Sequence, residues 1–488
     1  MAAVPEIRID PCNSSPVNPK GDYVLYWMIA FRRTRWNFSL QRAVEWCKAL
    51  NKPLLLFEPL RIGYPWASDR FHRFILDGMA ANAEALKKSN ATYYPYVEPS
   101  VDAGKGLLAT LAEKACVVVT DDFPAFFIPS MIQAASGRLP VRMEKVDSNG
   151  LLPMGASDSV FTAAQFFRRF LQKELPAHLA SMPEQDPLKV KGLPAPSPVP
   201  KAILRRRPPV SQELLQGSPE ALSSLSIDHQ VLPVERHGGS REGAKTLKGF
   251  LEKKLSLYPE NRNHPDEDGT SGLSPYLHFG HISVHEILQG LAEKEDWTPE
   301  HVSTKVTGGR AGWWRMSEGA EAFLDELVTW REIGFNMCRL RDDYDRYDSL
   351  PEWALKTLNR HSKDGRRYIY PPGRFERAET HDPLWNAAQS QLVREGRIHN
   401  YLRMVWGKKI LEWTPSPQEA LAIMIELNNK YALDGRDPNS YSGIMWCLGR
   451  YDRAWGPERP IFGKIRYMSS ENTARKLRLG EYLERFAP

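Results

Sequence analysis

The chain has 488 residues, of which 42% are hydrophobic and 25% charged, and its net charge is +6. This composition is typical of a globular protein with more than one domain, and it argues against a disordered or membrane-spanning chain. The mild positive charge permits nucleic-acid binding without requiring it. The five scattered cysteines include no CxxC pair. They predict reduced thiols and a cytoplasmic protein, or a nuclear one in a eukaryote.

Residues 1–20 lack the basic and apolar regions of a signal peptide, and we expect them to be disordered. From residue 21 to about 185, short apolar runs alternate with runs of helical spacing. The strand candidates are 23–28, 53–57 and 116–122, and the helix candidates are 40–50 and 70–87. This alternation predicts an α/β domain with a parallel sheet. It would be Rossmann-like, although neither GxGxxG nor GxxxxGK(S/T) occurs.

Two carboxylates, Asp121 and Asp122, end the third strand candidate. Carboxylates at the carboxyl end of a parallel strand can line a ligand crevice. They also commonly form turns. Both interpretations remain open.

From residue 189 to about 212 the chain is rich in Pro, Ala, Ser and Arg, which predicts an extended linker between domains, with bounds at 186–240. The basic run Arg205-Arg206-Arg207 lies within it. It either contacts DNA phosphates or forms a solvated loop, which is the commoner case.

The remaining residues, 241–488, have mostly helical spacing and predict an all-α domain. An early loop, Thr270-Ser271-Gly272, leads into Leu273 and Ser274. Hydroxyls and free backbone N–H groups of this kind suit a diphosphate, although most such loops only cap a helix.

A carboxyl and an indole share one face of the next notable helix. Glu326 and Trp330 are four residues apart in an otherwise apolar stretch. An unpaired buried carboxyl is costly and its pKa tends to rise. The pair is either an ion-paired Glu beside a core Trp or part of a polar pocket.

The stretch 381–455 is rich in tryptophan. Trp406 and Trp413 are seven residues apart in a helical run, which places them on one face roughly 10 Å apart. That spacing suits core packing, and it also suits stepwise electron transfer.

A capping box, Ser416-Pro417-Gln418-Glu419, predicts the start of the next helix. This helix delivers Asn428 near its end, just before a polar turn that begins at Asp434. Together with Arg403, these residues could meet a polar heteroaromatic ring, or they could form only a cap and a salt bridge.

Five blocks of sequence resemble class II cyclobutane pyrimidine dimer photolyases, of the photolyase/cryptochrome family, in the family's order. The blocks are LSPYLHFG at 273–280, HDPLWN at 381–386, WGKKILEW at 406–413, LDGRDPN at 433–439 and KIRYM at 464–468. The resemblance implies an α/β N-terminal domain of the antenna type and an all-α domain that binds FAD. It also implies a possible antenna chromophore, whose identity the sequence does not give.

The resemblance further implies a cofactor site. Asn428 would contact flavin N5, with Asn439 as a competing candidate. The order of electron transfer, outward from the flavin, would be Trp413, Trp385 and Trp406. The other residues implied to bind FAD are Tyr258, Thr270, Ser271, Gly272, Leu273, Ser274, Arg403, Asp434, Gly435, Arg436 and Asp437.

A substrate site is implied as well. Glu326 would hydrogen-bond the carbonyl groups of the pyrimidine dimer and stabilise its radical anion, an electrostatic effect favoured in a dry site. Trp330 and Trp446 would wall the pocket, with Met404 beside them. The residues implied to face the opened duplex are Arg262, Arg453, Lys464 and Arg466. The alternative is that they form a solvated surface with weak ion pairs.

The resemblance therefore implies a light-driven DNA repair enzyme, a lyase. Reduced FAD would donate an electron to a pyrimidine dimer in UV-damaged DNA, and the electron would return after the ring splits. The alternative is a cryptochrome-like photoreceptor that signals through a partner protein. A photolyase for (6-4) lesions fits less well, because no histidine pair stands near Glu326 or Trp446. The histidines show no metal-ligand spacing, and we expect a monomer without a membrane anchor.

Overall fold

The protein is described by a computed structural model that covers residues 2–487. The chain forms two compact units. The first contains the residues up to Ala156, Glu174–Lys248 and Leu273–Pro299. The second contains Ser157–Lys173, Gly249–Gly272 and the residues from Glu300 onward. The predicted domains were contiguous along the chain, whereas each unit here is assembled from separate segments.

A six-stranded sheet forms the centre of the first unit. Its strand order is β1-β6-β5-β2-β3-β4, and only β1 runs antiparallel to its neighbour. The strands are β1 (Ile9–Pro11), β2 (Tyr23–Trp27), β3 (Leu54–Leu60), β4 (Ala91–Val97), β5 (Ala115–Asp121) and β6 (Met143–Val146). The three predicted strands are therefore confirmed as β2, β3 and β5, and the α/β sheet is parallel apart from its edge.

Alternation along the central strand β2 contributes side chains to two apolar cores, one on each face of the sheet. Tyr23, Leu25 and Trp27 of β2 join one apolar cluster, and Val24 and Tyr26 join the other. Successive side chains of a strand point to opposite faces, so a strand buried on both faces is apolar throughout. All residues of β2 and β5 are buried.

Helices cover the sheet and make up most of the second unit. In chain order they are α1 (Phe38–Leu50), α2 (Asp69–Leu86), α3 (Leu107–Ala112), α4 (Ile128–Ser136), α5 (Ala164–Glu174), α6 (Pro176–Leu179), α7 (Lys201–Arg206), α8 (Gln212–Gln216), α9 (Pro219–Ser223), α10 (Ser240–Lys253), α11 (Tyr258–Asn261), α12 (Ser274–His278), α13 (Val284–Glu295), α14 (Glu318–Leu324), α15 (Arg331–Leu340), α16 (Glu352–Arg360), α17 (Pro372–Glu376), α18 (Pro383–Glu395), α19 (Asn400–Trp413), α20 (Pro417–Tyr431), α21 (Pro438–Cys447), α22 (Ser470–Lys476) and α23 (Gly480–Phe486). Within residues 2–487, none of these helices is long and apolar enough to cross a membrane.

The predicted start of α20 is confirmed at Ser416. Its hydroxyl accepts the N–H of Glu419 at 3.2 Å and donates to the Glu419 carboxylate at 3.0 Å. Pro417 occupies the first helical position, where its missing N–H costs nothing.

Two segments expected to be irregular are ordered in the structure. Strand β1 lies within the predicted disordered N-terminus, where it pairs with β6, and Val4 is buried. In the predicted linker, Leu193, Val199 and Ile203 join the cores of the first unit. The prolines and serines of this segment dominate its composition, so these apolar positions were not predicted to be buried. Arg207 donates to the carbonyls of Ala103 and Lys105, so the third arginine of the basic run serves the fold.

Asp121 has a structural role. Its carboxylate accepts the backbone N–H groups of Ile29, Ala30 and Phe31 at 2.8–2.9 Å and the hydroxyl of Tyr26 at 2.8 Å. Three consecutive N–H groups form an anion-binding concavity. The side chain therefore fixes the loop after β2, as the turn-forming interpretation expected, and it does not face a crevice.

We expect Asp121→Ala to lower the free energy of unfolding by about 3 kcal/mol or more, because buried N–H donors would lose a charged acceptor. Urea unfolding measures the change. Asp158→Ala is the matched control, since its side chain is 96% exposed, and it should change stability by less than about 0.5 kcal/mol. Similar losses in both variants would contradict the structural role.

Candidate functional site

The helix that carries Glu326 is interrupted by a wider turn. A π-helical segment, Asp325–Trp330, lies between α14 and α15. Such segments interrupt α-helices mainly at functional sites. Both predicted residues of this helix, Glu326 and Trp330, are half-buried and remain partly accessible.

Glu326 forms an ion pair with Arg262 at 2.6 Å. Burial raises the pKa of the Glu326 carboxyl, and the charge of Arg262 opposes that rise. The Arg262 guanidinium also lies 5.5 Å from the ring centroid of Tyr258, which is buried against Phe250 and Phe323. The structure thus brings together three residues with separately predicted roles: Glu326 for the dimer, Arg262 for the DNA and Tyr258 for the cofactor.

Helix α21, which bears Trp446, packs closely against two other helices. A Cβ at Gly334 of α15 would lie 2.7 Å from the carbonyl oxygen of Pro438, and a Cβ at Gly407 of α19 would lie 2.5 Å from the Cys447 sulfur. Contacts this short are not tolerated. Glycine is therefore required at both positions, and it lets α15 and α19 approach α21 from two sides.

A cavity of about 420 Å³ opens beside Trp446. Three predicted substrate residues, Met404, Trp446 and Arg466, line it together with Trp455 and Tyr401. Glu326 and Trp330 are not among its lining residues. The volume lies within the range of small-molecule pockets.

The predicted DNA-facing cations have different surroundings. Arg466 forms two hydrogen bonds to Asp452, at 2.9 and 3.1 Å, and stacks 4.0 Å from the ring centroid of Trp455. Arg453 is exposed and lies 4.6 Å from the same ring. Lys464 is half-exposed and 3.7 Å from Glu458. Arg466 therefore helps to build the cavity wall, whereas Arg453 and Lys464 remain accessible to solvent.

Arg403 and Asp434 form the predicted pair at 3.1 Å. The Arg403 Nε is buried and has no hydrogen-bond partner within the described part of the chain. Asn428 is 1% exposed, and its amide donates to the Ser440 hydroxyl at 2.8 Å. The competing candidate, Asn439, is exposed. This difference in burial favours Asn428 as a group of an interior site.

The turn after α20 has roles within the fold. The Arg436 guanidinium donates to the carbonyl of Asn429 at 2.6 Å, and the Asp437 carboxylate accepts the N–H of Asn439 at the start of α21. Gly435, Arg436 and Asp437 are buried. These predicted cofactor residues therefore hold the turn that positions α21.

The predicted phosphate loop is divided between the units. Thr270, Ser271 and Gly272 end a segment of the second unit and are half-buried, whereas Leu273 and Ser274 begin a segment of the first. Leu273 is buried and Ser274 is exposed at the start of the short helix α12.

The three predicted electron-transfer tryptophans are in contact and are at most 2% exposed. Trp385 lies between the others, with ring centroids 6.4 Å from Trp406 and 6.0 Å from Trp413. The rings of Trp385 and Trp406 are nearly parallel, at 5°. The Trp385 indole N–H donates to the carbonyl of Trp406, and the Trp406 indole N–H donates to Gln389, both at 3.0 Å.

Helix geometry argues against the predicted order of these tryptophans. Trp406 follows Arg403 within one turn of α19, whereas Trp413 lies about 15 Å beyond Arg403 along the axis. Trp413 also contacts the exposed His381, with ring centroids 5.0 Å apart. For a flavin held at Arg403, Trp406 is the nearest of the three and Trp413 the outermost.

One charged residue of this site was missed. Lys408 is fully buried. Its ammonium donates to the carbonyl of Cys447 at 2.7 Å and lies 4.7 Å from the ring centroid of Trp446. Burial lowers the pKa of Lys408 to about 8. The only available signal was a lysine inside an apolar helical run, and most lysines in such runs reach the surface.

Comparison with curated proteins establishes the family. The chain is 34% identical, over 484 residues, to a deoxyribodipyrimidine photo-lyase of Methanothermobacter thermautotrophicus, and the match covers 98% of this chain and 97% of the relative. The chain belongs to the deoxyribodipyrimidine photo-lyase family. Photo-lyases of the same name from Arabidopsis thaliana (32% identity, 94% of this chain and 88% of the relative) and Potorous tridactylus (32%, 95% and 81%) match as well. No family model matches the chain.

A solved photolyase shares the fold. The crystal structure of a bacterial class III photolyase from Agrobacterium tumefaciens superposes with a TM-score of 0.67, at 16% identity, over 97% of this chain and 87% of that one. The predicted architecture, an α/β N-terminal part and a helical C-terminal part of the photolyase type, is confirmed.

Lys408 should make stability depend on pH. Its folded pKa lies below its unfolded value, so the unfolded chain binds more protons between about pH 8 and 10, and stability rises across that window. We expect the wild type to gain about 2 kcal/mol between pH 7 and 9.5 from this group.

The Lys408→Met variant removes the titrating ammonium and keeps the length of the side chain. Urea unfolding at both pH values should show the gain in the wild type and its absence in the variant. Lys363→Met, at an exposed lysine, should behave like the wild type. An equal gain in Lys408→Met would show that other groups cause it.

Proposed function

We propose that the protein is a class II cyclobutane pyrimidine dimer photolyase, which uses light to split these dimers in UV-damaged DNA. The observation that carries the proposal is the three-tryptophan contact beside the Arg403–Asp434 pair, in a chain that matches enzymes named deoxyribodipyrimidine photo-lyase over nearly its whole length. The assignment to class II rests on the five sequence blocks, among them WGKKILEW at 406–413, which contains two of the three tryptophans.

The interior residues near Arg403 fit a flavin. The unpartnered Nε of Arg403 is a buried donor that lacks an acceptor, and such groups are costly unless a partner is supplied. Together with Asp434 and Asn428 it offers donors and acceptors to a polar heteroaromatic ring. FAD, when bound and reduced, supplies the electron that splits the dimer after light absorption.

Glu326 would recognise the carbonyl groups of the dimer. A carboxylate only accepts hydrogen bonds, whereas the protonated acid can donate one to a carbonyl oxygen. Burial raises the pKa of Glu326 and so favours the protonated form. A donor aimed at the oxygen where negative charge develops would stabilise the radical anion of the dimer.

Trp406, Trp385 and Trp413 would carry electrons from the surface to an oxidised flavin. For a flavin held at Arg403, Trp406 would be innermost, and Trp413, which contacts the exposed His381, would be outermost. Trp446 and Met404 would instead form one wall of the dimer pocket, and Trp330, on the helix of Glu326, would form another. The 420 Å³ cavity is lined by Trp446 and Met404 but not by Glu326 or Trp330.

The direct test is repair of an oligonucleotide with one thymine dimer by the reduced protein, in the dark and under blue light. We expect the thymines to be restored only in the light. Glu326→Ala should lower the yield per absorbed photon about tenfold or more, because one charge-stabilising donor is lost. Glu326→Gln, which keeps a donor, should retain more of the yield. Absence of repair by a protein that binds photoreducible FAD would overturn the proposal in favour of a signalling photoreceptor.

Trp385→Phe should break the electron path, because Trp385 is the contact between the other two tryptophans. We expect photoreduction of oxidised flavin to slow at least about tenfold, which corresponds to roughly 1.4 kcal/mol. Repair by chemically pre-reduced protein should persist. Trp297→Phe, at a buried tryptophan of the first unit, is the matched control. Loss of repair by the pre-reduced variant would show that Trp385 has another role.

A further inference from the structure

A basic loop in the second unit, residues 303–316, takes no part in the site described above. Its sequence, STKVTGGRAGWWRM, contains Lys305, Arg310 and Arg315, and all three side chains are exposed. Within residues 2–487, no carboxylate forms an ion pair with any of these cations. Three exposed and uncompensated charges on one short loop are a candidate site for an anion.

The first half of the loop is fixed by a buried amide. Gln172 of α5 accepts the N–H groups of Thr307 and Gly308 at 3.0 and 2.7 Å. It also donates to the carbonyl of Gly309 at 3.0 Å. Three hydrogen bonds from one side chain that is 4% exposed hold the backbone next to Arg310 in one conformation.

The second half is fixed by a buried carboxylate. Glu321 of α14 accepts the N–H groups of Gly312 and Arg315 at 2.6 and 2.7 Å. Between these two anchors, Trp313 and Trp314 are buried with their rings in edge contact, 4.9 Å apart. The loop is thus anchored on both sides of Arg310, while its charged side chains remain in solvent.

The loop lies beside the proposed dimer-binding carboxyl. Arg168 forms a bidentate ion pair with Asp325, the residue before Glu326, at 2.7 and 3.1 Å. The same guanidinium donates to the carbonyl of Gly308 at 3.3 Å. One side chain therefore links the π-helical segment to the loop. Burial raises the pKa of Glu326, and the charge of Arg310, like that of Arg262, opposes the rise.

We propose that the basic loop binds the DNA backbone next to the lesion, with Lys305, Arg310 and Arg315 contacting phosphate groups. The proposal rests on the function proposed above. Extruding the damaged bases from the duplex costs a few kcal/mol, and phosphate contacts near the pocket offset part of that cost. Arginine suits phosphate because its planar guanidinium donates two parallel hydrogen bonds. A loop that is already fixed loses little further entropy on binding.

The test is the salt dependence of binding to two oligonucleotide duplexes, one with a single thymine dimer and its undamaged twin. Each phosphate contact contributes about 0.9 to the slope of log K against log salt concentration. We expect Arg310→Gln and Arg315→Gln each to reduce the slope by about that amount, and the double variant by about twice as much. Because phosphate contacts carry no sequence or lesion information, both duplexes should weaken by the same factor.

Two further variants make the test specific. Arg310→Lys keeps the charge and should retain most of the slope that Arg310→Gln loses. Arg138→Gln, at an exposed arginine of the first unit, should bind as the wild type does. Thermal unfolding checks that all variants fold.

A double variant with the slope of the wild type would overturn the proposal. So would a loss limited to the damaged duplex, because that would indicate lesion recognition and not phosphate binding. Failure of the proposed function would look different: the wild type would neither prefer nor repair the damaged duplex, while the loop could still be tested on the undamaged one.

Discussion

The close approach of α15 and α19 to α21 is the constraint on which the site depends. It is possible only because positions 334 and 407 lack a Cβ, which would meet backbone or sulfur at 2.5–2.7 Å. Gly407 of α19 directly follows Trp406. The close packing of α19 on α21 at Gly407 therefore also fixes the position of Trp406, a proposed electron-transfer residue. Trp446 lies on α21, the other helix of this contact, and its side chain lines the cavity. One packing event thereby positions both the proposed electron path and the proposed pocket wall.

The electrostatic surroundings distinguish the tryptophans that this packing brings close. The Lys408 ammonium, which donates to a neutral carbonyl, lies 4.7 Å from the ring of Trp446, and the Arg466 guanidinium, 5.5 Å from it, is paired with Asp452. Positive charge beside an indole disfavours removal of an electron from it. Trp385 and Trp406 donate their N–H groups to neutral acceptors. The Lys409 ammonium, 5.5 Å from the ring of Trp413, is paired with Glu412 at 2.8 Å. Trp446 is therefore suited to be a wall, and the other three to carry electrons.

Sequence patterns predicted the features that depend on local periodicity. The alternation of apolar runs located β2, β3 and β5, and the capping box located the start of α20. Features that depend on distant partners were beyond reach. Strand β1 has three residues and forms only because β6 lies beside it. Asp121 binds N–H groups about 90 residues away. The π-helical segment changes no residue spacing in the sequence, and the burial of Lys408 depends on a carbonyl of another helix.

The Glu326–Arg262 ion pair couples the protonation of Glu326 to the position of the Arg262 charge. In the structure Arg262 supplies the nearest positive charge and opposes the rise in the pKa of Glu326 that burial causes. If Arg262 binds a DNA phosphate, it shares its hydrogen-bond donors and its charge between the phosphate and Glu326, so its interaction with Glu326 weakens. Excluding water at the same time strengthens the effect of burial. With Arg262 engaged by a phosphate, less positive charge would oppose the effect of burial, so the pKa of Glu326 would shift further in the direction that favours the hydrogen-bond-donating acid.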